Sequence, residues 1–173
     1  MTNYKELLTT VNTFVFDYDG VLSDGSIITL DDGEAYRTTN VKDGYALQLA
    51  RKKGSRIAVI SGARADCMMH RLRALNITDI FLGVENKLGT FRDYIEKNSL
   101  DPSQVLFMGD DIPDYEVMLA AGVSACPADA AEEIKKIARY ISHFNGGKGC
   151  VRDIIEQVLK VQGKWMNDDA YHW

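Results

Sequence analysis

"FVFDYDGVLSDGS", residues 14–26, sets three aspartates directly behind a short apolar run. The run belongs to "TFVFD", residues 13–17, whose nearly continuous apolar character predicts a strand that is buried on both faces. Asp17, Asp19 and Asp24 carry like charges, which repel one another at short range. Two interpretations are open at this point: a cation holds the carboxylates together, or water solvates them separately in a polar turn.

Strand patterns alternate with helix patterns along the rest of the chain. Further buried strands are predicted at residues 56–61, 79–83, 104–110 and 122–127. Apolar residues with helical spacing occur between and after these strands, at residues 43–54, 64–75, 87–98, 114–122, 130–138 and 150–163. Such alternation is typical of a parallel sheet with helices on both faces. We therefore predict an α/β fold built on a doubly wound parallel sheet.

One segment departs from this alternation. "GSIITLDDGEAYRTTN", residues 25–40, has two extended runs around a "DDG" turn, which indicates a β-hairpin. The hairpin insertion would lie between the first strand and its helix. The other connections are short, so we expect no cap domain. We expect residues 1–173 to form one domain that ends in a tail at about residues 164–173.

The composition argues against several classes of protein. A chain of 173 residues with a net charge of −5 lacks the basic surface typical of nucleic-acid-binding proteins. No apolar run approaches the roughly 20 residues that span a bilayer, and no secretory signal is evident. Cys67, Cys126 and Cys150 lie far apart, which is typical of free thiols in a reducing compartment. We expect a cytoplasmic protein that binds neither nucleic acid nor membranes.

Several polar side chains follow the predicted strands. In an open parallel sheet, ligands bind beyond the carboxyl ends of the strands. The polar residues at these ends, and at the start of the helix after the third strand, are Asp17, Asp19, Ser61, Lys87, Asp110 and Asp111. Oxygen ligands without a His or Cys cluster favour Mg²⁺. This placement favours the interpretation in which a cation holds the carboxylates together.

Four ordered motifs carry a family resemblance. "DYDGVLSDG", "VISG", Lys87 and "GDDIPD" resemble the motifs of the haloacid-dehalogenase-like phosphatases. The resemblance implies that Asp17 attacks phosphorus to form an aspartyl-phosphate, and that Asp19 acts as general acid and base. It also implies that Ser61 and Lys87 bind the oxygens of the transferred phosphoryl group. A lone DxD is a weak signal, but four motifs at predicted strand ends are a strong one.

The same resemblance implies a Mg²⁺ site. Its ligands would be the Asp17 and Asp110 carboxylates and the backbone carbonyl of Asp19. Asp111 and Asp114 would support these ligands from behind. The expected cofactor is therefore Mg²⁺, beside an anionic phosphate.

A closer resemblance extends over about residues 12–165. The hairpin insertion, "NVKDGYALQLARKKG", "RLRALNI" and "FNGGKGCVRDIIEQVLKVQGKW" are similar to the capless 3-deoxy-D-manno-octulosonate 8-phosphate phosphatases. Members of that family hydrolyse an eight-carbon sugar-acid phosphate during the synthesis of lipopolysaccharide. They are homotetramers whose hairpins form a central barrel and whose neighbouring chains help to close each active site. The resemblance implies the same reaction and the same shared sites here.

The resemblance also implies a set of substrate contacts. They come from the "NVKDG" stretch, from two helices and from the "NGGKG" loop: Asn40, Val41, Lys42, Asp43, Gly44, Gln48, Arg64, Arg71 and Lys148. In the loop, residues 145–149, glycines allow close backbone approach and Lys148 can meet a carboxylate. The alternatives are a plain turn before the last helix for the loop, and a solvated surface charge for Arg71.

One position departs from the family pattern. Many relatives have Arg directly after the glycine of "VISG", whereas this chain has Ala63 and then Arg64. Either Arg64 substitutes for that arginine or the substrate contacts differ. Two alternatives therefore stay open: a phosphatase of nine-carbon 2-keto-3-deoxy or sialic acid 9-phosphates, and a catalytically silent tetramerisation module. The tail at residues 166–173 could cover a neighbouring site with Trp165 and Trp173, or could be disordered.

Overall fold

The computed structural model describes residues 4–172, which form a six-stranded parallel sheet, a two-stranded hairpin and the helices around them. The strands are β1 (Thr13–Phe16), β2 (Ile28–Thr29), β3 (Ala35–Tyr36), β4 (Arg56–Ser61), β5 (Asp79–Leu82), β6 (Val105–Met108), β7 (Val123–Cys126) and β8 (Tyr140–Ile141). The α-helices are α1 (Tyr4–Leu8), α2 (Val41–Lys52), α3 (Asp66–Ala74), α4 (Lys87–Lys97), α5 (Tyr115–Ala120), α6 (Glu132–Ile137) and α7 (Cys150–Val161).

The strand order in the large sheet is β5-β4-β1-β6-β7-β8, and all pairs are parallel. From the central strand β1, the chain adds β4 and then β5 on one side, and later adds β6, β7 and β8 on the other side. This confirms the predicted doubly wound α/β fold. In such a sheet the crevice beyond the carboxyl end of the central strand is the usual ligand site. Asp17 lies at that position.

The central strand alternates its side chains between two cores. Phe14 and Phe16 pack on the face covered by α1, α2, α3 and α7. Val15 packs on the opposite face, against α4, α5 and α6. All three side chains are fully buried. Burial on both faces explains why the strand reads as a continuous apolar run in the sequence.

The hairpin confirms the predicted insertion between β1 and α2. β2 and β3 pair antiparallel, with Ile28 opposite Tyr36. The turn between them is closed by hydrogen bonds between Leu30 and residues 33 and 34, and Gly33 has a positive φ of 87°. No further domain is inserted among residues 4–172, in agreement with the expected absence of a cap. The hairpin exposes four large apolar side chains: Ile27, Ile28, Leu30 and Tyr36.

The structure differs from the sequence prediction at a few ends. β8 and α1 were not predicted, because elements of two and five residues are too short to show a period. Helix α2 begins at Val41, before its predicted start, because the Asn40 side chain accepts the backbone N–H groups of Lys42 and Asp43. No helix among residues 4–172 has the length and apolar character to cross a membrane.

The tail folds back on its own chain. Its residues Asp168–Tyr171 form a short 3₁₀ turn, and Ala170 is buried against α2, where the Tyr45 hydroxyl donates to the Ala170 carbonyl. Trp165 is half-buried beneath the Arg152 guanidinium, which lies 5.4 Å from its ring. Trp173 lies outside the described residues. The described end of the tail therefore packs against α2 of the same chain.

Candidate active site

The polar residues predicted at the strand ends meet at the carboxyl edge of the sheet. Asp17 directly follows β1, Ser61 ends β4, and Lys87 begins α4. They line one cleft of about 570 Å³ together with Asp19. The Lys87 ammonium lies 2.9 Å from Asp17 Oδ1, and both side chains are buried. The predicted convergence of Asp17, Asp19, Ser61 and Lys87 is therefore present in the structure, and their chemical roles stay predictions.

Three carboxylates form a cluster behind this cleft. Asp17, Asp110 and Asp114 each place a carboxylate oxygen within 4.8 Å of the others. The Lys87 ammonium also lies 2.7 Å from Asp114 Oδ1, so one cation sits between two of the three acids. Asp17 Oδ1 is buried and has no directed hydrogen bond. Buried carboxylates in such numbers need a further cation or protons to be stable.

The pKa values of the three acids reflect the same excess of negative over positive charge. Burial, and then the charge of Asp114, raises the pKa of Asp17 to about 7 in spite of Lys87. Burial together with the charges of Asp17 and Asp114 raises the pKa of Asp110 to about 8. Burial also raises the pKa of Asp114. A divalent cation among the three would favour their ionised forms at neutral pH.

Two glycines give the cluster its shape. Gly20 has a positive φ of 86°, and a Cβ at this position would overlap the Asp110 carboxylate. A Cβ at Gly109 would overlap the Asp114 side chain. The backbone therefore approaches both acids more closely than any other residue would allow. The buried Asp17 carboxylate, the oxygen-only donor set and the close approach of the backbone fit a hard cation such as Mg²⁺.

The two acids expected to support the metal ligands occupy different places. Asp114 is almost fully buried, and its Oδ2 accepts the backbone N–H of Asp110 at 3.1 Å. It therefore lies inside the carboxylate cluster rather than behind it. Asp111 is exposed, and its side chain accepts the backbone N–H of Ile112 at the start of the next turn. Its carboxylate is engaged in capping that turn.

Asp19 is held by an arginine that sequence reasoning missed. Arg37, which follows β3 in the hairpin insertion, places its Nε 2.9 Å from Asp19 Oδ1 and its Nη2 3.0 Å from Oδ2. Ser23 Oγ also donates to Asp19 Oδ1, at 3.1 Å. The sequence offered no signal for Arg37 beyond its position in the insertion, because the fold of the hairpin decides where its side chain points.

The "NGGKG" loop packs against the turn that follows β1. A Cβ at Gly146 would overlap the Gly20 carbonyl, and the Gly147 N–H donates to the Val21 carbonyl at 2.9 Å. Lys148 Nζ forms an ion pair with Asp24 Oδ2 at 2.9 Å. The loop was predicted to help close an active site, with Lys148 meeting a carboxylate of the substrate. Within one chain Lys148 pairs with Asp24 instead, and its contact with a substrate stays a prediction. The third aspartate of the opening motif is thus paired with the loop and lies outside the carboxylate cluster.

Asp43 of the "NVKDG" stretch is engaged in the core. It is buried, its Oδ1 accepts the backbone N–H of Arg152 at 2.7 Å, and it faces the first turn of α7. Burial raises the pKa of Asp43 to about 6, against the lowering effect of the backbone N–H groups of Arg152 and Gly149. This carboxylate holds α7 to α2, which is an arrangement different from the expected substrate contact.

The remaining residues of this stretch lie at the start of α2. Asn40 caps the helix, and its Nδ2 reaches the Gly147 carbonyl at 3.4 Å. Val41 and Lys42 are exposed. Gly44 lies against Arg71, since a Cβ there would overlap the guanidinium.

The expected cationic contacts are dispersed around the cleft. Arg71 is half-buried on α3, and its buried Nε has no hydrogen-bond partner. Arg64 is exposed and lies beside Gly83, whereas Ala63 lines the cleft. Gln48 lines a separate surface depression with Arg51, Lys52 and Asn76. The structure therefore does not bring Arg64 or Gln48 into the wall of the cleft.

The cleft has an acidic lining. Among the described residues that line it, Lys87 is the only cationic side chain. Glu85 and Glu116 add two exposed carboxylates near its opening. An anionic ligand in this cleft would need positive charge from a bound metal, and also from groups beyond the cleft wall of one chain.

Comparison with known proteins gives a consistent result. Residues 73–154 match the model of the haloacid dehalogenase-like hydrolase family. The chain is 37% identical over 154 residues to the 3-deoxy-D-manno-octulosonate 8-phosphate phosphatase of Salmonella typhi. The aligned region covers 89% of this chain and 82% of that protein.

Solved structures of similar proteins superpose closely. The 3-deoxy-D-manno-octulosonate 8-phosphate phosphatase of Moraxella catarrhalis, solved with magnesium ion, phosphate ion and KDO, has a TM-score of 0.92 at 30% identity. That match covers 99% of this chain and 97% of the other. The Yersinia pestis phosphatase of the same name has a TM-score of 0.92 at 31% identity, over 94% and 88% of the two chains.

Proposed function

Since the chain belongs to the haloacid dehalogenase-like hydrolases and, within them, to the 3-deoxy-D-manno-octulosonate 8-phosphate phosphatases, we propose that it hydrolyses this ester in a Mg²⁺-dependent reaction. The family makes the chain a phosphatase, so the proposal concerns the ester, the cofactor and the mechanism. The observation that carries it is the buried Asp17 carboxylate beside Lys87, at the carboxyl end of the central strand and within the acidic cluster.

In the first step, Asp17 attacks phosphorus as a nucleophile. A bond forms between its carboxylate oxygen and phosphorus, and the bond between phosphorus and the sugar oxygen breaks. Asp19 gives its proton to the departing sugar oxygen, so that an alcohol leaves instead of an alkoxide. Ser61 and Lys87 bind the phosphoryl oxygens, where negative charge has to be stabilised. The products of this step are the free sugar acid and an aspartyl-phosphate.

In the second step, water hydrolyses the aspartyl-phosphate. Asp19, now ionised, takes a proton from the attacking water. The oxygen of that water bonds to phosphorus, and the bond to Asp17 breaks. Inorganic phosphate leaves, and Asp17 returns to its carboxylate form. The proton that Asp19 lost in the first step is thereby replaced.

The residues that would hold Mg²⁺ are the Asp17 and Asp110 carboxylates, with the Asp19 backbone carbonyl and support from Asp114. When bound, the metal neutralises part of the carboxylate and phosphate charge, which otherwise repel each other. Asp114 keeps Lys87 and the Asp110 backbone in place through its two oxygens.

The substrate assignment also has to account for a carboxylate on the sugar. Lys87, the one cation among the described residues of the cleft wall, already contacts two acids, so Lys148 and Arg71 are the proposed partners of the sugar carboxylate. Arg64 would need to swing inward to join them. Because Ala63 replaces the usual arginine, a nine-carbon acid phosphate is the competing substrate.

We propose further that the chain acts as a cytoplasmic homotetramer with shared active sites. The exposed apolar side chains of the hairpin, Ile27, Ile28, Leu30 and Tyr36, support an interface between copies of the chain. The acidic cleft supports the sharing of sites, since a neighbouring chain can supply missing positive charge. Sedimentation at micromolar concentration tests the assembly: a fully active monomer would contradict shared sites.

The decisive experiment is a phosphate-release assay over sugar phosphates of six to nine carbons. Each assay is run with Mg²⁺ and with a chelator. We expect the eight-carbon acid phosphate to exceed the others in kcat/KM by at least about tenfold, because unpaired polar groups penalise a mismatched sugar. Full activity in chelator would contradict the metal requirement, and a faster nine-carbon substrate would replace the assigned one.

The nucleophile is tested in the same assay with Asp17→Asn. We expect this variant to lose more than about nine-tenths of its activity, or over ~1.4 kcal/mol of transition-state stabilisation, because an amide forms no acyl-phosphate. Asp93→Asn, the same change at an exposed position on α4, is the matched control and should keep its activity. Substantial turnover by Asp17→Asn would remove Asp17 from the mechanism.

A further inference from the structure

Arg37 is a buried cation in an otherwise exposed insertion. Its side chain is 5% exposed, whereas the Tyr36 side chain next to it in β3 points outward. The two residues therefore face opposite sides of the hairpin, as successive residues of an extended chain do. The hairpin thus carries one charged side chain from its inner side into the region of the cleft.

The contact between Arg37 and Asp19 fixes an orientation. Nε and Nη2 of the guanidinium each engage a different carboxylate oxygen, at 2.9 and 3.0 Å. A planar two-point contact of this kind restricts rotation of the carboxylate, which a single hydrogen bond or a lysine ammonium does not. The third nitrogen, Nη1, donates to the Ala35 carbonyl at 3.0 Å, so the guanidinium itself is tied to the hairpin backbone.

The electrostatics favour this pair. The hydrogen bond and charge of Asp19 raise the pKa of Arg37, although burial opposes its charge. Asp19 is the natural partner of this buried guanidinium, because a buried charge without a partner is unfavourable. At the same time Asp19 lines the cleft beside Asp17, so one side of its carboxyl group remains available to a ligand.

We infer that Arg37 is a positioning residue for the proton transfers of Asp19. It holds the carboxyl group of Asp19 in the cleft, where the group can give a proton to the leaving oxygen and later take one from water. The inference rests on the proposed function, in which Asp19 is the general acid and base. Arg37 is not among the described residues that line the cleft, so it would act through Asp19, and it links the hairpin insertion to the chemistry of the cleft.

The test compares two phosphate esters that differ in their need for an acid. A sugar or alkyl phosphate releases a strongly basic alkoxide and depends on a proton donor, whereas p-nitrophenyl phosphate releases a stable phenolate. Loss of a positioned general acid lowers rates by about 10²–10⁴, and misplacement of one gives part of this loss. We expect Arg37→Met to lower kcat/KM for the alkyl ester by at least about tenfold, while kcat/KM for p-nitrophenyl phosphate falls less than about threefold. The comparison uses kcat/KM because this ratio covers only the steps up to departure of the alcohol or phenolate, and so excludes the hydrolysis of the aspartyl-phosphate that both esters share.

Two further variants separate positioning from stability. Arg37→Lys keeps the charge without the two-point contact and should lie between wild type and Arg37→Met. Arg56→Met removes a half-exposed arginine that pairs with Asp79 at the opposite end of β4, and should leave both activities unchanged. If Arg37→Met fails to fold, Arg37→Lys carries the comparison of the two esters.

A double variant provides the sharpest outcome. In an Asp19→Asn background, Arg37→Met should cause no further selective loss on the alkyl ester, because its partner is already gone. Equal losses on both esters in any folded Arg37 variant, or a selective loss that persists without Asp19, would overturn the inference. For this comparison the eight-carbon acid phosphate serves as the alkyl ester, and failure of the wild-type chain to hydrolyse it would instead refute the proposed function.

Discussion

Replacing Lys87 with Met should destabilise the protein more at pH 8 than at pH 5. The Lys87 ammonium lies 2.9 Å from Asp17 and 2.7 Å from Asp114, and all three side chains are buried. Methionine keeps most of the volume but removes the charge. What remains is a group of three carboxylates within 4.8 Å of one another, without a protein cation between them.

The magnitude follows from charges at these distances. At an effective dielectric constant of about 20, each contact of Lys87 with an ionised acid is worth roughly 6 kcal/mol before desolvation is subtracted. Desolvation removes much of this, and breaking a buried pair typically destabilises a protein by about 3–5 kcal/mol. We expect a loss of that size at pH 8, where Asp17, with a pKa of about 7, is largely ionised.

At pH 5 the same substitution should be less harmful. Asp17 and Asp110, with pKa values of about 7 and 8, are protonated there, so the lysine has fewer charges to neutralise. Carboxyl groups whose pKa is raised in the folded state stabilise it fully below the unfolded value of 3.8. That contribution is lost as the pH rises through 7 and 8, and removal of Lys87 enlarges the loss. We expect less than half of the pH 8 effect.

The assay is urea unfolding in the presence of a chelator at both pH values. Lys135→Met, which removes a half-buried lysine paired with the exposed Glu132, is the matched control and should change stability by less than about 0.5 kcal/mol at either pH. A loss for Lys87→Met that is equal at both pH values, or larger at pH 5, would show that the carboxylates near Lys87 do not titrate as a buried cluster.

Two other outcomes follow from the same cluster. Mg²⁺ should raise the thermal unfolding temperature more at pH 8 than at pH 5, because at low pH protons compete with the metal for the carboxylates of Asp17 and Asp110. Equal shifts of the unfolding temperature at the two pH values, measured by calorimetry, would contradict a site built on these acids. Gly20→Ala should abolish the response to Mg²⁺, and it should lower the free energy of unfolding by at least ~2 kcal/mol more than Gly33→Ala does. Both glycines have a positive φ, but only Gly20 contacts Asp110. Similar losses for the two variants in urea unfolding would refute the close fit at Gly20.

The sequence allowed prediction of those parts of the site that depend on strand ends. Asp17, Ser61 and Asp110 follow recognisable apolar strands, and parallel strands bring their carboxyl ends together whatever the loops do. The doubly wound sheet and the family were confirmed for the same reason, since period and motif order are local properties of the chain.

The parts that escaped prediction depend on how distant segments pack. Arg37 meets Asp19 only because the hairpin folds over the turn after β1, and no local pattern encodes that contact. Asp43 belongs to a family motif, yet its carboxylate is directed to the first turn of α7, more than 100 residues away. Asp114 was expected to support Asp17 and Asp110, and its close approach to both of them, within 4.8 Å, depends on Gly109, which leaves room for its side chain.

The contact of the glycine loop with the turn after β1 has a consequence for how the protein is made. Gly146 follows Gly20 by 126 positions in the chain, yet the two backbones touch. A ribosome that adds about 5–20 residues per second needs several seconds to tens of seconds to make the intervening chain. Throughout that time the acidic turn is already synthesised but has no loop to pack on. The turn after β1 therefore stays unpacked until the loop emerges, and a message cut short before the loop yields a product in which this turn lacks its packing partner.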